Sequence, residues 1–140
     1  MGIEQTFAII KPDAVKRGHT GGIIAAIEEN GFTIKNLKKV HLTKAQAEGF
    51  YYVHRERGFF GELTDFMSSA PCVVMILEKE GAILAWRDLM GPTNPASAEA
   101  HHLRKRFGTS IGENATHGSD APETAAFETS YFFSCFERIA

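Results

Sequence analysis

The sequence lacks the features that would place it in a membrane or make it a general binder of nucleic acid. No segment is both long enough and apolar enough to cross a bilayer, so we expect no contact with membranes. Lys and Arg number 15 against 17 Asp and Glu, and the resulting net charge of −2 gives no overall attraction to polyanions. We therefore expect no specific nucleic-acid partner, and any bound anion must meet a local group of cations.

Cysteine is also scarce. Cys72 and Cys135 both lie in apolar runs (PCVVMIL and FFSCFE), which predicts reduced thiols in the core rather than a disulfide or a catalytic pair. The first residues, MGIEQTFAIIKPDAV, lack the basic start and the unbroken apolar stretch of a signal peptide. Both observations lead us to expect a cytoplasmic protein.

The two commonest phosphate-binding motifs are absent as well. Neither G-x-x-x-x-G-K-[ST] nor G-x-G-x-x-G occurs in the chain. A length of 140 residues fits one domain, and we expect residues 1–140 to form it. If the protein binds phosphate, its site must be built in another way.

Four short strands alternate with helices along the chain. The run TFAII predicts a strand that ends before Pro12, which leaves Lys11 at a strand end. Residues 32–42 predict a strand with a bend near 36–39, CVVMIL a buried strand, and YFFSCFE a strand that closes the chain. Helices between short strands indicate an α+β or α/β sandwich, in which the strand direction stays open.

The predicted helices carry their own start and stop signals. Thr20 is a candidate N-cap for a helix that stops at Asn30-Gly31, and Thr43 with Gln46 predicts a capping box for a helix to about His54. A further helix over 81–90 ends at Gly91-Pro92, and the last begins near Asp120 and Pro122. Between them, residues 91–120 form a long loop interrupted only by a short basic helix over about 98–107. Loops of this length in compact domains are usually functional.

Several polar residues stand where the elements end or in this long loop. Each of them alone is more simply a surface or turn residue: Lys11, Arg87, Thr93, Arg104 and Asn114. Together they combine fork-shaped and point cations with neutral hydrogen-bond donors, which is the mixture that a polyphosphate requires. His117 follows Asn114 by three residues, in the segment NATHGSD.

Four motifs, KPDAV, RGFFGEL, RDLMGPTNP and GENATHGSD, occur in the order and spacing of the nucleoside diphosphate kinase family, which the chain resembles over nearly its whole length. The resemblance implies an α+β, ferredoxin-like fold with a four-stranded antiparallel sheet covered by helices. It also implies a helical hairpin between the second and third strands.

The same resemblance implies a reversible ping-pong exchange of the γ-phosphate between nucleoside triphosphates and diphosphates, with His117 as the nucleophile. A neutral imidazole already offers a lone pair near neutral pH, whereas a serine would need an adjacent base. Gly118 is expected to leave room for the incoming phosphate. Glu128, otherwise a surface carboxylate, is expected to hold the ring.

In similar proteins the triphosphate is bound by residues that match Lys11, Arg87, Thr93, Arg104 and Asn114. An active-site tyrosine matches Tyr51, and the aromatic that stacks on the base matches Phe59, which could also be a core residue beside Phe60. Stacking of this kind accepts any base, so we expect broad base specificity. Mg²⁺ is expected to travel with the nucleotide, without a dedicated metal site on the protein. Relatives form homo-oligomers, and we expect a tetramer or hexamer built from dimers.

One segment departs from the family pattern. His101 and His102 replace small residues before Arg104, and on a helix adjacent side chains would point apart, which argues against a metal pair. Two other functions stay open: a nucleic-acid-binding module that uses the lysines near residue 38 and the segment RKR, and a catalytically silent relative that serves as an oligomeric scaffold.

Overall fold

A computed structural model describes residues 2–140, which contain a four-stranded sheet. Its strands are β1 (Ile3–Ile10), β2 (Thr33–Val40), β3 (Cys72–Glu80) and β4 (Thr116–Gly118), in the order β2-β3-β1-β4. Every neighbouring pair is antiparallel. This order and the helices between the strands confirm the expected α+β, ferredoxin-like fold.

The helices connect the strands and cover the sheet. Between β1 and β2 lie α1 (Pro12–Lys16) and α2 (Thr20–Glu29), and between β2 and β3 lie α3 (Lys44–Phe50) and α4 (Phe60–Ser68). The segment before β4 contains α5 (Ala82–Met90) and α6 (Leu103–Phe107), and α7 (Pro122–Phe132) follows it. Two short 3-10 turns occur at Tyr52–His54 and Pro95–Ser97. The α3–α4 pair is the expected helical hairpin.

Alternate residues of the central strands point to opposite faces of the sheet, and a hydrophobic core lies on each face. On one face, Ala8 and Ile10 of β1 pack with Trp86 of α5 in a core that also contains residues of α2 and α6. On the other face, Phe7 and Ile9 pack in a core that contains residues of α3 and α4. Strand β1 therefore touches both cores, and its end is held firmly in place.

The fourth strand differs from the sequence prediction. The segment YFFSCFE does not form a strand, since α7 continues to Phe132 and residues 133–140 are turns and irregular chain. Cys72 is buried as expected, but Cys135 is exposed, so its assignment to the core was wrong; both thiols are free. The fourth strand is instead the segment THG, which pairs with β1 and is too short and too polar to show a strand pattern.

Smaller differences concern helix ends and one bend. The basic helix is shorter than predicted and begins at Leu103, while His19 rather than Thr20 occupies the N-cap of α2, without a side-chain cap bond. The capping box of α3 is confirmed by the Gln46 N–H donating to Thr43 Oγ1 at 3.1 Å and by the Thr43 N–H donating to Gln46 Oε1 at 2.8 Å. The bend in β2 is confirmed as a register shift between Ile34 and Asn36.

Across residues 2–140, no helix combines the length and the apolar character that crossing a bilayer requires.

Candidate active site

His117 is fixed in β4 by contacts from both faces of the sheet. Its backbone pairs with Ile9 of β1, and its carbonyl oxygen accepts a hydrogen bond of 3.1 Å from Trp86 Nε1. The ring lies edge-on to the rings of Phe50 and Tyr51, at centroid distances of 5.5 Å and 6.0 Å. These contacts leave the imidazole little rotational freedom.

Glu128, on α7, holds one nitrogen of this ring. His117 Nε2 lies 2.9 Å from Glu128 Oε1, and the same oxygen accepts a hydrogen bond of 2.9 Å from Ser119 Oγ. Because an ionised carboxylate only accepts, Nε2 carries the proton and Nδ1 of the neutral ring has the lone pair. The geometry therefore leaves the Nδ1 lone pair free.

A hydrogen-bonded chain joins three of the predicted phosphate ligands. Lys11 Nζ donates to Asn114 Oδ1 at 2.9 Å, and Asn114 Nδ2 donates to the Thr93 carbonyl oxygen at 3.1 Å. Lys11 follows β1 directly, while Thr93 and Asn114 lie near the two ends of the long loop. The chain brings the strand end and both ends of the loop to one place.

Arg104 ties the same loop to β4. Its guanidinium donates through Nη1 to the Gly91 carbonyl oxygen and through Nη2 to the Thr116 carbonyl oxygen, both at 2.9 Å. The side chain is buried, and its Nε has no hydrogen-bond partner among residues 2–140. Arg104 thus places a cation beside the strand that carries His117.

The cations influence one another, which shows that they lie close together. Burial and then the charge of Arg104 lower the pKa of Lys11 to about 8, against an opposing effect of Asp13. Burial and then the charge of Arg87 lower the pKa of Arg104 to about 10. Arg87 itself is exposed on α5. Three positive charges held together in this way favour a multivalent anion.

Tyr51 is a buried donor next to His117. Within the described part of the chain its hydroxyl has no hydrogen-bond partner, and burial, followed by the charge of Glu128, raises its pKa above the ordinary range. The phenol therefore stays protonated and can donate to an anion. Phe59 is the N-cap residue of α4, and its exposed ring lies beside His54. Phe60 packs against the core, so the two neighbouring phenylalanines differ in their surroundings.

Asp13 is a residue that the sequence did not single out. Its buried carboxylate accepts a hydrogen bond of 3.1 Å from the Ala115 N–H, and Ala115 has a φ of +73°, a conformation that alanine rarely adopts. The Lys11 N–H donates to the Ala115 carbonyl oxygen at 2.8 Å. Residue 115 joins Asn114 to the β4 strand, so Asp13 supports the backbone between the phosphate ligands and His117.

Gly118 has a different purpose from the one expected. A Cβ atom at this position would lie 2.4 Å from Trp86 Cδ1 and 2.7 Å from Met90 Cε. The space that a side chain at this position would take is therefore filled by the core. The expectation that the glycine leaves room beside the His117 ring for an incoming phosphate was wrong. The glycine lets the indole approach the backbone of β4 closely enough to bind the His117 carbonyl.

The family profile described as nucleoside diphosphate kinase matches residues 4–138. The chain belongs to the nucleoside diphosphate kinase family. Membership in this family makes it a phosphotransferase that moves phosphate between nucleoside triphosphates and diphosphates.

Individual relatives of this kinase agree over its whole length. It is 64% identical over 137 residues to the nucleoside diphosphate kinase of Syntrophotalea carbinolica, covering 98% of this chain and 100% of the relative. The enzyme of Trichlorobacter lovleyi is 63% identical over 137 residues, with 98% and 99% covered.

Solved structures agree as well. The Aquifex aeolicus nucleoside diphosphate kinase superposes with a TM-score of 0.97 at 45% identity, covering 99% of this chain and 100% of that one. The Halobacterium salinarum nucleoside diphosphate kinase, solved in complex with CDP, gives a TM-score of 0.94 at 31% identity, covering 99% and 93%.

Proposed function

We propose that His117 carries the phosphate between the two nucleotides in a ping-pong exchange. The observation that supports this most directly is the 2.9 Å contact of Nε2 with Glu128, which leaves the Nδ1 lone pair free. In the first half-reaction, Nδ1 attacks the γ-phosphorus and the bond to the bridging oxygen breaks, so that the diphosphate leaves with that electron pair. In the second, a terminal oxygen of another diphosphate attacks the phosphorus, and the nitrogen recovers its electrons.

The surrounding donors stabilise the charge of the transferring phosphate. Lys11, Arg87 and Arg104 supply fixed positive charge, while Asn114 and Thr93 supply neutral hydrogen-bonding groups. A loose, anionic transition state gains most from such preorganised groups. The buried hydroxyl of Tyr51, which no described residue pairs with, is a further donor for a phosphate oxygen. Glu128 stabilises the positive charge that develops on the ring.

Kinases of this family generally use Mg²⁺ together with their nucleotides. The phosphate ligands of this chain are cationic or neutral, a set that suits phosphate oxygens rather than a bare cation. We therefore infer that Mg²⁺ binds through the nucleotide phosphates and neutralises part of their charge. Lys11, Arg87 and Arg104 neutralise the remainder.

Phe59 gives the site broad base specificity. Its ring is 47% exposed, so it can stack on any purine or pyrimidine, and such stacking contributes about 1 to 3 kcal/mol. The CDP complex of the Halobacterium salinarum enzyme supports a nucleoside diphosphate as acceptor. Assays with one donor and a panel of diphosphates should give specificity constants within about two decades. A preference of about four decades for one base would contradict this proposal.

Residues 1–140 act as one kinase domain in the cytoplasm, as a homo-oligomer built from dimers. The match of the family over residues 4–138 supports the single domain. Nucleic acid is not among the expected partners, because Lys38 is paired with Glu137 at 2.9 Å and Lys35 donates to the Ala140 carbonyl oxygen. Salt-dependent retention of the protein on DNA would contradict that expectation.

Incubation with γ-labelled ATP tests the proposed role of His117. The protein should acquire a label that is stable to base and labile to acid, and an added nucleoside diphosphate should remove it. His117→Ala should take up no label while keeping its unfolding midpoint, because the carrier atom is lost. An unlabelled but folded wild-type protein would instead identify a silent scaffold, and labelling of His117→Ala would place the carrier elsewhere.

A further inference from the structure

Two neighbouring histidines and a glutamate form a cluster outside the catalytic group. The ligand atoms of Glu99, His101 and His102 all lie within 4.8 Å of one another. The expectation that the two adjacent histidines point apart assumed that they lie on a helix. It was wrong, because both residues precede α6. In this turn the two rings come together, with a centroid distance of 4.2 Å.

One hydrogen bond within the cluster orients the ring of His102. His102 Nδ1 accepts a hydrogen bond of 2.9 Å from the Glu99 N–H, so this nitrogen faces the glutamate and is unprotonated in the neutral ring. An ion that binds this nitrogen replaces one surface hydrogen bond. His101 and Glu99 are exposed and free to adjust their rotamers.

The donor set identifies the class of ligand. Two imidazoles and one carboxylate suit zinc, nickel or copper, whereas magnesium prefers oxygen ligands alone. Zn²⁺ holds nitrogen and oxygen ligands at about 2.0 to 2.2 Å, so the three atoms must approach one another by no more than about 1.5 Å. Small side-chain rotations at exposed residues can achieve this, and three protein ligands leave a coordination position for water or an anion.

The position of the cluster connects it with the nucleotide site. His101 and His102 line an open cavity of about 440 Å³ together with Arg87, Asp88 and Gly91. The His102 side chain also lies against Gly91, where an added Cβ would be 2.5 Å from the ring carbon Cγ. The carbonyl of Gly91 is the acceptor of Arg104. An ion bound to His102 is therefore linked through Gly91 to Arg104, a predicted phosphate ligand.

We propose that Glu99, His101 and His102 bind one divalent transition-metal ion, such as Zn²⁺ or Ni²⁺, on the wall of the cavity that contains Arg87. The ion fixes the turn before α6 and holds His102 against Gly91. This site is separate from the magnesium of the nucleotide, because its nitrogen ligands select a different class of metal.

Competition between the metal-free, full-length protein and a chromophoric chelator for Zn²⁺ tests the proposal. The wild type should bind one ion per chain, and the His101→Ala/His102→Ala double variant should bind at least about tenfold more weakly, since even lost second-shell partners weaken metal sites 10- to 100-fold. Glu99→Gln, which leaves both rings in place, should also weaken binding. A millimolar excess of Mg²⁺ should not displace the ion.

His41→Ala is the matched control, because His41 is an exposed histidine that contacts Ser68 away from the cluster. It should bind Zn²⁺ like the wild type. Zn²⁺ should also raise the thermal unfolding midpoint of the wild type and of His41→Ala, but not that of the double variant. Equal affinity of the double variant and the wild type would place the ion elsewhere, for example on His117, and would overturn the proposal. Displacement by Mg²⁺ would overturn it as well.

Discussion

Lys11 keeps its positive charge in surroundings that disfavour it. Burial and the nearby charge of Arg104 lower its pKa to about 8, although the Asp13 carboxylate opposes the shift. A lysine with this pKa is charged at neutral pH and loses its proton as the pH rises through about 8. Among the proposed phosphate ligands, this residue is therefore expected to limit phosphate binding on the alkaline side.

We expect kcat/KM for the nucleoside triphosphate to fall as the pH rises through about 8, because the neutral amine no longer stabilises the phosphate. The value of kcat should fall only at higher pH, since bound phosphates favour the charged amine. Steady-state rates across a pH series measure both. In Lys11→Arg the side chain stays charged, so the fall of kcat/KM at alkaline pH should disappear even if the rate is lower. An unchanged fall in that variant would assign the titration to another group.

The Asp13–Ala115 hydrogen bond supports a strained backbone. A φ of +73° at a non-glycine residue costs roughly 1 to 2 kcal/mol, and the bond from the Ala115 N–H to the buried carboxylate helps to maintain it. Asp13 contacts this backbone through the Ala115 N–H, so we expect it to act by positioning the loop.

Asp13→Ala should lower kcat by about tenfold, equivalent to about 1.4 kcal/mol, with a smaller change in KM, because the loop that carries Asn114 and His117 relaxes. In an Ala115→Gly background the same substitution should have less effect, since glycine adopts a positive φ without strain. Steady-state kinetics of both single variants and the double variant complete the cycle. An equal loss of kcat in both backgrounds would reduce the role of Asp13 to general stability.

The sequence predicts some of these residues and not others for a physical reason. Lys11, Arg104 and His117 have side chains whose chemistry is evident from residue type and motif. Asp13 binds the backbone of Ala115, which is 102 positions away in the sequence. The positive φ of Ala115 is not predicted by the residue type, since alanine rarely adopts it. Such a contact exists only after the chain has folded.

At the scale of elements, β4 depends on close packing because it has only three residues. It pairs with β1 alone, and Gly118 is the point where Trp86 meets its backbone. In the strand order β2-β3-β1-β4, β4 is an edge strand. The strand that carries His117 is therefore held by β1, by the indole contact at Gly118 and by the Arg104 hydrogen bond to the Thr116 carbonyl oxygen.

Gly118→Ala should destabilise the protein by roughly 1 to 3 kcal/mol, because the new methyl group displaces Trp86 and its bond to the His117 carbonyl. Phosphate transfer should fall with it. Denaturant unfolding and the exchange assay measure the two effects. Gly58→Ala is the control, since a Cβ there meets no atom within 4 Å, and it should change stability by no more than about 0.5 kcal/mol. A fully stable Gly118→Ala would show that the indole can move freely.

Strand prediction succeeds where apolar residues form a long enough pattern. The buried strands β1 and β3 and the capped helix α3 are predicted well, because apolar runs and a capping box are local signals. Strand β4 escapes prediction, because tertiary pairing with β1 rather than its own residues makes THG a strand. In YFFSCFE the opposite error occurs: aromatic residues that favour strands finish helix α7 instead.

At the scale of the whole molecule, assembly is the property that the sequence leaves open. Strand β2 lies at an edge of the sheet, and Leu37 on this strand is 45% exposed. Near the end of the sequence, Phe136 and Ile139 are 98% and 63% exposed. Edge strands and exposed apolar side chains are common features of contacts between subunits. Both observations are consistent with the homo-oligomer that we propose.

We expect sedimentation equilibrium at low micromolar protein to give the mass of a tetramer or hexamer, with dimers as the product of dilution or mild denaturant. The physical reason is that the exposed apolar groups gain free energy when a second copy covers them. High salt should not dissociate the assembly, because such contacts are not screened by ions. A purely monomeric mass under these conditions would contradict the proposed assembly.

His117 lies where the two cores of the molecule meet. Its ring touches Phe7 and Phe50 from one face, and its carbonyl is held by Trp86 from the other. A substitution deep in either interior can therefore shift the proposed nucleophile by a fraction of an ångström without unfolding the protein. Natural selection for turnover then acts on interior residues far from the nucleotide, so the interior should accumulate neutral substitutions more slowly than stability alone would permit.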